Sequence, residues 1–196
     1  MEKVAAVLRS GGIYKPEHVY KLRDGVAKHL GWDFVCLSDV ELDCDTIPLC
    51  HNWPGWWSKF EIFSLTGPTL YFDLDTILVG DCRGWAEKAV NEDFCILRDR
   101  YRGRKNKQAM GSGIMAWRDD VFYIYEHFLQ YRNMSHPLGD QGIVEQAVKK
   151  ATFLQDLTDS VVSYKADILE GYPIEKASCV YFHGEPRPWS QNSIPY

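Results

Sequence analysis

The run Tyr71-Phe72-Asp73-Leu74-Asp75-Thr76-Ile77-Leu78 constrains the chain more than any other. An apolar strand over Thr69–Phe72 leads straight into two carboxylates spaced two residues apart. Extended backbone points residues i and i+2 to the same side, so Asp73 and Asp75 converge on one point. Converging carboxylates repel unless a cation stands between them. A hard divalent ion, Mn2+ or Mg2+, suits such oxygen donors and is completed by phosphate oxygens. Open α/β sheets bind ligands beyond the carboxyl ends of their strands, which is where this pair falls. The bland alternative is two solvated aspartates in a turn. The apolar residues on both sides argue that the pair is held in place.

The strand belongs to a repeating α/β pattern. Val4–Leu8 is a short apolar run ended by Ser10-Gly11-Gly12, a buried strand and a tight turn. Pro16 opens a helix with Val19, Leu22, Val26 and Leu30 on one face and Gly31 as its stop. Asp33–Leu37 is a second strand, so strand, helix and strand form a parallel pair with a crossover. The spacing further predicts helices over Trp56–Leu65, Asp119–Gln130 and Gln141–Lys150, and strands over Phe94–Leu97, Ile114–Trp117 and Cys179–Phe182. Ser38–Gly55 reads as irregular. The fold class that results is α/β, one Rossmann-like domain over residues 1–196 with a mostly parallel sheet flanked by helices.

Bulk properties narrow the partners. A net charge of −5 argues against nucleic acid as the main partner. No stretch reaches the length of a membrane span, and the run Val4–Leu8 is too short for a secretory signal. The six cysteines show no Cys-x-x-Cys pair, so free thiols in a reducing compartment, the cytoplasm, are expected.

Five blocks in order resemble the family 8 glycosyltransferases, the glycogenin-like enzymes of the GT-A fold. They are Trp57–Thr66 with Leu70–Thr76, then Ser112-Gly113-Ile114-Met115, Gly139-Asp140-Gln141-Gly142, and His183-Gly184-Glu185-Pro186-Arg187-Pro188-Trp189, with Leu8–Tyr14 at the front. The resemblance implies a hexosyltransferase that uses Mn2+ or Mg2+, a UDP-sugar donor and a hydroxyl-bearing acceptor, with retention at the anomeric carbon. It implies that Leu8, Ser10 and Tyr14 line the base and ribose pocket, and that Lys59 reaches the donor's phosphate or sugar. Asp73 would touch ribose or metal, Asp75 would bind the metal directly, and His183 would be the third metal ligand. Ser112 and Asp140 would hold donor sugar hydroxyls, Gln141 would sit near the anomeric carbon, and Gly184 with Arg187 would bind the diphosphate. The catalytic group so implied is Asp75, Asp140 and Gln141.

The chain departs from that family twice. Tyr181 stands where the pattern has histidine, and His183 follows two residues on, on the same face of a strand. Gly111 stands where relatives often carry Asn.

Two other classes remain open. Phe72-Asp73-Leu74-Asp75 also resembles the start of the haloacid-dehalogenase-type phosphatases, which would make Asp73 a phosphoryl-accepting nucleophile. There, however, a spacer precedes the Thr, and the motif lies on the first strand. A non-catalytic module that binds a sugar nucleotide or nucleic acid is the third class. The cationic stretch Arg98–Gln108 reads either as a solvated loop or as a lid over a diphosphate. Of Trp53, Trp56 and Trp57, two are expected in the core, leaving one indole to stack on a sugar acceptor.

Overall fold

The computed structural model describes residues 2–131 and 134–196. The chain begins with β1 (Lys3–Leu8), α1 (Pro16–His29), β2 (Asp33–Ser38) and β3 (Asp45–Pro48). A ten-residue 3-10 helix (Gly55–Ser64) leads to β4 (Thr69–Phe72), β5 (Thr76–Leu78) and α2 (Arg83–Val90). Next come β6 (Cys95–Arg98), β7 (Met110–Trp117), α3 (Phe122–Tyr131) and α4 (Gly139–Ala147). The last third holds β8 (Thr152–Phe153), α5 (Leu154–Leu157), β9 (Val161–Ser163), a π-helical turn (Tyr164–Ile168) and β10 (Cys179–Tyr181).

Seven strands form the main sheet in the order β3-β2-β1-β4-β7-β6-β8. Only β7 runs against the others, pairing antiparallel with both β4 and β6. A near-continuous apolar strand such as Val4-Ala5-Ala6-Val7-Leu8 suits a parallel sheet, which is covered on both faces. One apolar cluster, with Val19, Leu22 and Val26 of α1, covers one face; Phe60, Phe63, Trp117 and Phe128 lie in the cluster on the other. Pro16 starts α1, and Gly31, at φ +76°, ends it by donating to the Val26 carbonyl at 2.8 Å.

Strand order places the functional crevice. From β1 the chain builds outward to β2 and β3, then returns to lay β4 on the opposite side of β1. Between β1 and β4 the direction of winding reverses, and such a switch point opens a crevice at the strands' carboxyl ends. The loop with Tyr14 leaves one strand there, and Asp73 leaves the other.

A second, three-stranded sheet, β5-β10-β9, was not foreseen. Its strands are three residues each, too short to show a period. It pairs Tyr181 with Thr76 and brings the Phe182 amide to the Asp75 carbonyl at 3.2 Å. The segment after β10 is thereby laid beside Asp75.

Other expectations shift. The segment read as irregular contains β3, an edge strand with exposed residues and a terminal proline. The helix over Trp56–Leu65 is 3-10 rather than α, and Trp57 through Phe63 are all buried, so no solvent face sets a period of 3.6. The short helix α2, with Trp85, Ala86, Ala89 and Val90 buried, was missed.

Candidate active site

A cleft of about 670 Å³ opens at the switch point. Ten of the residues expected in the site border it: Tyr14, Lys59, Asp73, Asp75, Ser112, Asp140, Gln141, His183, Gly184 and Arg187. Two do not. Leu8, at 1% exposure, points into the core, and the Ser10 hydroxyl is turned to the Asp39 carboxylate at 2.6 Å. Alternation along β1 explains the first, and the local bond to Asp39 the second.

One wall is built around Lys59. The 3-10 helix delivers its ammonium, 5% exposed, between Asp73 at 2.9 Å and Asp140 at 2.6 Å. Ser112 of β7 adds its hydroxyl at 3.3 Å and donates to Asp140 at 2.7 Å. The Tyr71 hydroxyl donates to Asp73 at 2.5 Å. Burial works against the lysine's charge, but Asp140 and Asp73 outweigh it and raise its pKa. Asp140 stands in the first turn of α4, where the helix dipole favours an anion, and Gln141 follows it.

The other wall is built around Asp75. Its carboxylate accepts from the Tyr14 hydroxyl at 2.9 Å and from the Arg187 guanidinium, which also donates to Tyr14 at 3.0 Å. Burial first, and then the neighbouring Asp73 charge, push the Asp75 pKa up to about 6 despite that arginine. Tyr14 packs edge-on against Trp189, and Trp189 stacks on His18 with ring centroids 4.0 Å apart, which ties the segment after β10 onto α1.

His183 borders the cleft, and its Nε2 hydrogen bonds with the Ser163 hydroxyl at 2.8 Å. Burial, aided by the Lys165 charge, lowers its pKa and so favours the neutral imidazole. The displaced motif position is occupied by Tyr181, whose ring centroid lies 6.0 Å from that of His183; both border the cleft. Asp73, Asp75 and His183 therefore share one cavity. They do not stand in one cluster: among the described residues, no three His, Cys, Asp or Glu side chains are grouped to hold a metal ion. Each carboxylate is balanced instead by a protein cation, Lys59 or Arg187. The donor set, two carboxylates and a neutral imidazole, suits Mn2+ or Mg2+ in kind.

Several lining residues fell outside the expected set. Arg98, Asp99, Arg100 and Tyr101 border the cleft, so the first four residues of the cationic stretch form part of its wall. It is held in place: Arg98 pairs with Asp156, Arg102 with Asp99 and Glu145, and Arg100 with Asp167. Trp53 and Trp57 are buried, whereas Trp56, 61% exposed, lies on the cleft rim beside Gly139, as the division of the three indoles anticipates.

Fold and cleft together define a class: this is the GT-A architecture shared by glycosyltransferase structures. Among its individual members, the glycosyltransferase GlyE of Streptococcus pneumoniae TIGR4 matches with a TM-score of 0.71 at 14% identity, over 98% of this chain and 57% of that one. The galactosyltransferase LgtC, solved in complex with donor and acceptor sugar analogs, matches with a TM-score of 0.62 at 10% identity, over 95% of this chain and 89% of that one. The chain thus spans little more than half the length of GlyE. No family sequence model and no curated protein sequence matches it. At such identities the likeness is one of fold. Among the described residues, no helix is long and apolar enough to cross a membrane.

Proposed function

We propose that the chain is a metal-dependent glycosyltransferase that moves a hexose from a nucleoside-diphosphate sugar, of the UDP kind, to a hydroxyl acceptor with retention. The observation that carries this reading is the cleft at the β1/β4 switch point, where Asp73, Asp75, His183 and Arg187 all border one cavity. The fold shared with GlyE and LgtC supports it and weighs against an aspartyl-phosphate route through Asp73.

Asp73, Asp75 and His183 would hold the divalent ion. When bound, it would supply Lewis-acid stabilisation of the leaving diphosphate, on the order of several kcal/mol. Arg187 would turn its planar guanidinium to the phosphate oxygens, matching their geometry bidentately. Gly184, at φ +69°, would let backbone approach the same oxygens. Tyr14 would pack against the nucleoside. Lys59 would hold Asp73 and Asp140 in register, with Asp140 and Ser112 fixing donor sugar hydroxyls and Gln141 standing near the anomeric carbon. In the transfer itself, the bond from that carbon to the diphosphate oxygen breaks. A bond to the acceptor oxygen forms, and the acceptor's proton is released. Catalysis is then mostly positioning and electrostatics. Trp56 would give an acceptor sugar a face to stack on.

Residues 1–196 act as one catalytic unit in this proposal. All six cysteines are thiols, which supports a cytoplasmic setting.

A UDP-release assay across donor sugars, with and without Mn2+, tests the activity. Thermal stabilisation by Mn2+ and UDP together, abolished by Asp75→Asn, is the expected companion result. If Mn2+ leaves UDP binding unchanged, the reading is wrong.

A further inference from the structure

Among the described residues, the cations bordering the cleft are all spoken for. Arg9 pairs with Asp39, Lys59 with Asp73 and Asp140, Arg98 with Asp156, Arg100 with Asp167 and Arg187 with Asp75. Lys165, immediately behind that lining, is different. Among the described residues no carboxylate oxygen lies within 4 Å of its ammonium, and Asp167, two positions on, is already engaged by Arg100 and by the Ser163 amide.

Its position is specific. The Lys165 ammonium stands 3.5 Å from where a side chain on Gly184 would begin, so this glycine leaves the space beside the ammonium open. One hydroxyl joins the two segments: Ser163 Oγ bonds with His183 Nε2 at 2.8 Å and accepts from the Ala166 amide at 3.1 Å. The π-helical turn carrying Lys165 and the turn carrying Gly184 are therefore one unit. Three residues on from Gly184, Arg187 pairs with Asp75 through its terminal nitrogen and keeps a buried Nε–H without a hydrogen-bond partner, the Glu185 carboxylate lying 3.7 Å from it.

We infer that Lys165 is a second cationic arm of the site, closing with Arg187 around the Gly184 turn to bind a diphosphate. The arrangement fits such a ligand chemically. One cation stands beside a residue without a side chain, the charges of both act on the neighbouring His183, and the unmet N–H of Arg187 is a donor that a phosphate oxygen would satisfy once the guanidinium turns from Asp75. Lysine serves as a mobile point charge and arginine as a planar fork, so the pair would take two adjacent phosphates in different ways. This rests on the donor reading above only for the nucleoside attached to the diphosphate.

Calorimetric titration of inorganic pyrophosphate, UDP and uridine, with Mn2+ present, into wild type, Lys165→Met and Lys165→Arg tests it. Met keeps the aliphatic stem, so folding is protected. Lys165→Met is expected to weaken pyrophosphate and UDP about tenfold, roughly the loss of one charge-assisted contact. Lys165→Arg should restore most of that, and uridine should be indifferent to all three residues. Equal binding of pyrophosphate by wild type and Lys165→Met overturns the inference, even if UDP binds well and the donor reading stands. Pyrophosphate binding that depends on Lys165, in a protein that ignores UDP, upholds the inference and removes the donor reading. Failure of wild type to bind either phosphate removes both.

Discussion

The two walls of the cleft neutralise their carboxylates in opposite ways. On the Lys59 wall, every partner of Asp73 comes from the main sheet or the 3-10 helix packed on it: Lys59, Tyr71 and, through Lys59, Ser112. On the Asp75 wall, the balancing charge comes from Arg187, beyond β10 on a turn entered through Gly184 at positive φ. The first is a closed network in which each member answers another. In the proposed reading the second would be a latch: Arg187 would leave Asp75 for an incoming anion, and Asp75 would accept a cation or a proton in exchange. Substrate-dependent rearrangement should therefore be concentrated on one side.

The strongest way to break this contrast is Lys59→Ala. Removing the cation leaves Asp73 and Asp140 facing each other, and urea unfolding should show a loss of about 3 kcal/mol. A loss no larger than that of Arg187→Ala would erase the distinction. The next is the pH dependence of Asp75. Its pKa is raised from 3.8 to about 6 in the fold, so the stability it contributes is fully present below 3.8 and is lost as pH rises through about 6. Melting temperatures of wild type relative to Asp75→Asn should fall across that window; a flat difference would place Arg187 in firm control of the carboxylate. Arg187→Ala itself should cost only about 1 kcal/mol, since Asp75 can take up a proton. It should also tighten Mn2+ measured alone by calorimetry while weakening UDP. Mn2+ binding no tighter than in wild type would mean that Arg187 does not compete for the metal's place. The smallest effect is expected from Trp56→Ala. Stability should stay within about 0.5 kcal/mol, because the indole is exposed. Transfer to saccharide acceptors should drop while donor hydrolysis persists.

What could be read from sequence follows the same division. β1, α1 and β2 were legible because their apolar residues repeat at strand and helix periods. Asp73 and Asp75 do follow the apolar strand β4, but the expected convergence of i and i+2 fails: the two lie in a turn closed by the Thr76 amide donating to the Asp73 carbonyl at 3.1 Å, and their carboxylates pair with Lys59 and Arg187 on different walls. Ten of the twelve residues expected at the site do border the cleft. Leu8 was misplaced because block resemblance carries a position and says nothing of which face of β1 its side chain takes. The sharing of Lys59 between Asp73 and Asp140, and the pairing of Asp75 with Arg187, were invisible, since the contacts cross 14, 81 and 112 residues of chain. Lys165 left no signal at all. It sits in a five-residue π-turn without periodicity, and only the small sheet brings that turn to Gly184.

Arg187 meets Tyr14 across 173 positions of sequence. Translation delivers residues at about 5–20 per second, and N-terminal portions begin folding first. The aspartates thus emerge from the ribosome well before the guanidinium that answers one of them. In the proposed reading, a nascent chain in that interval would carry both aspartates but not the arginine that grips the diphosphate. Turnover would then begin only once the distal segment has been synthesised and has docked, so that ligand affinity reports on completed assembly.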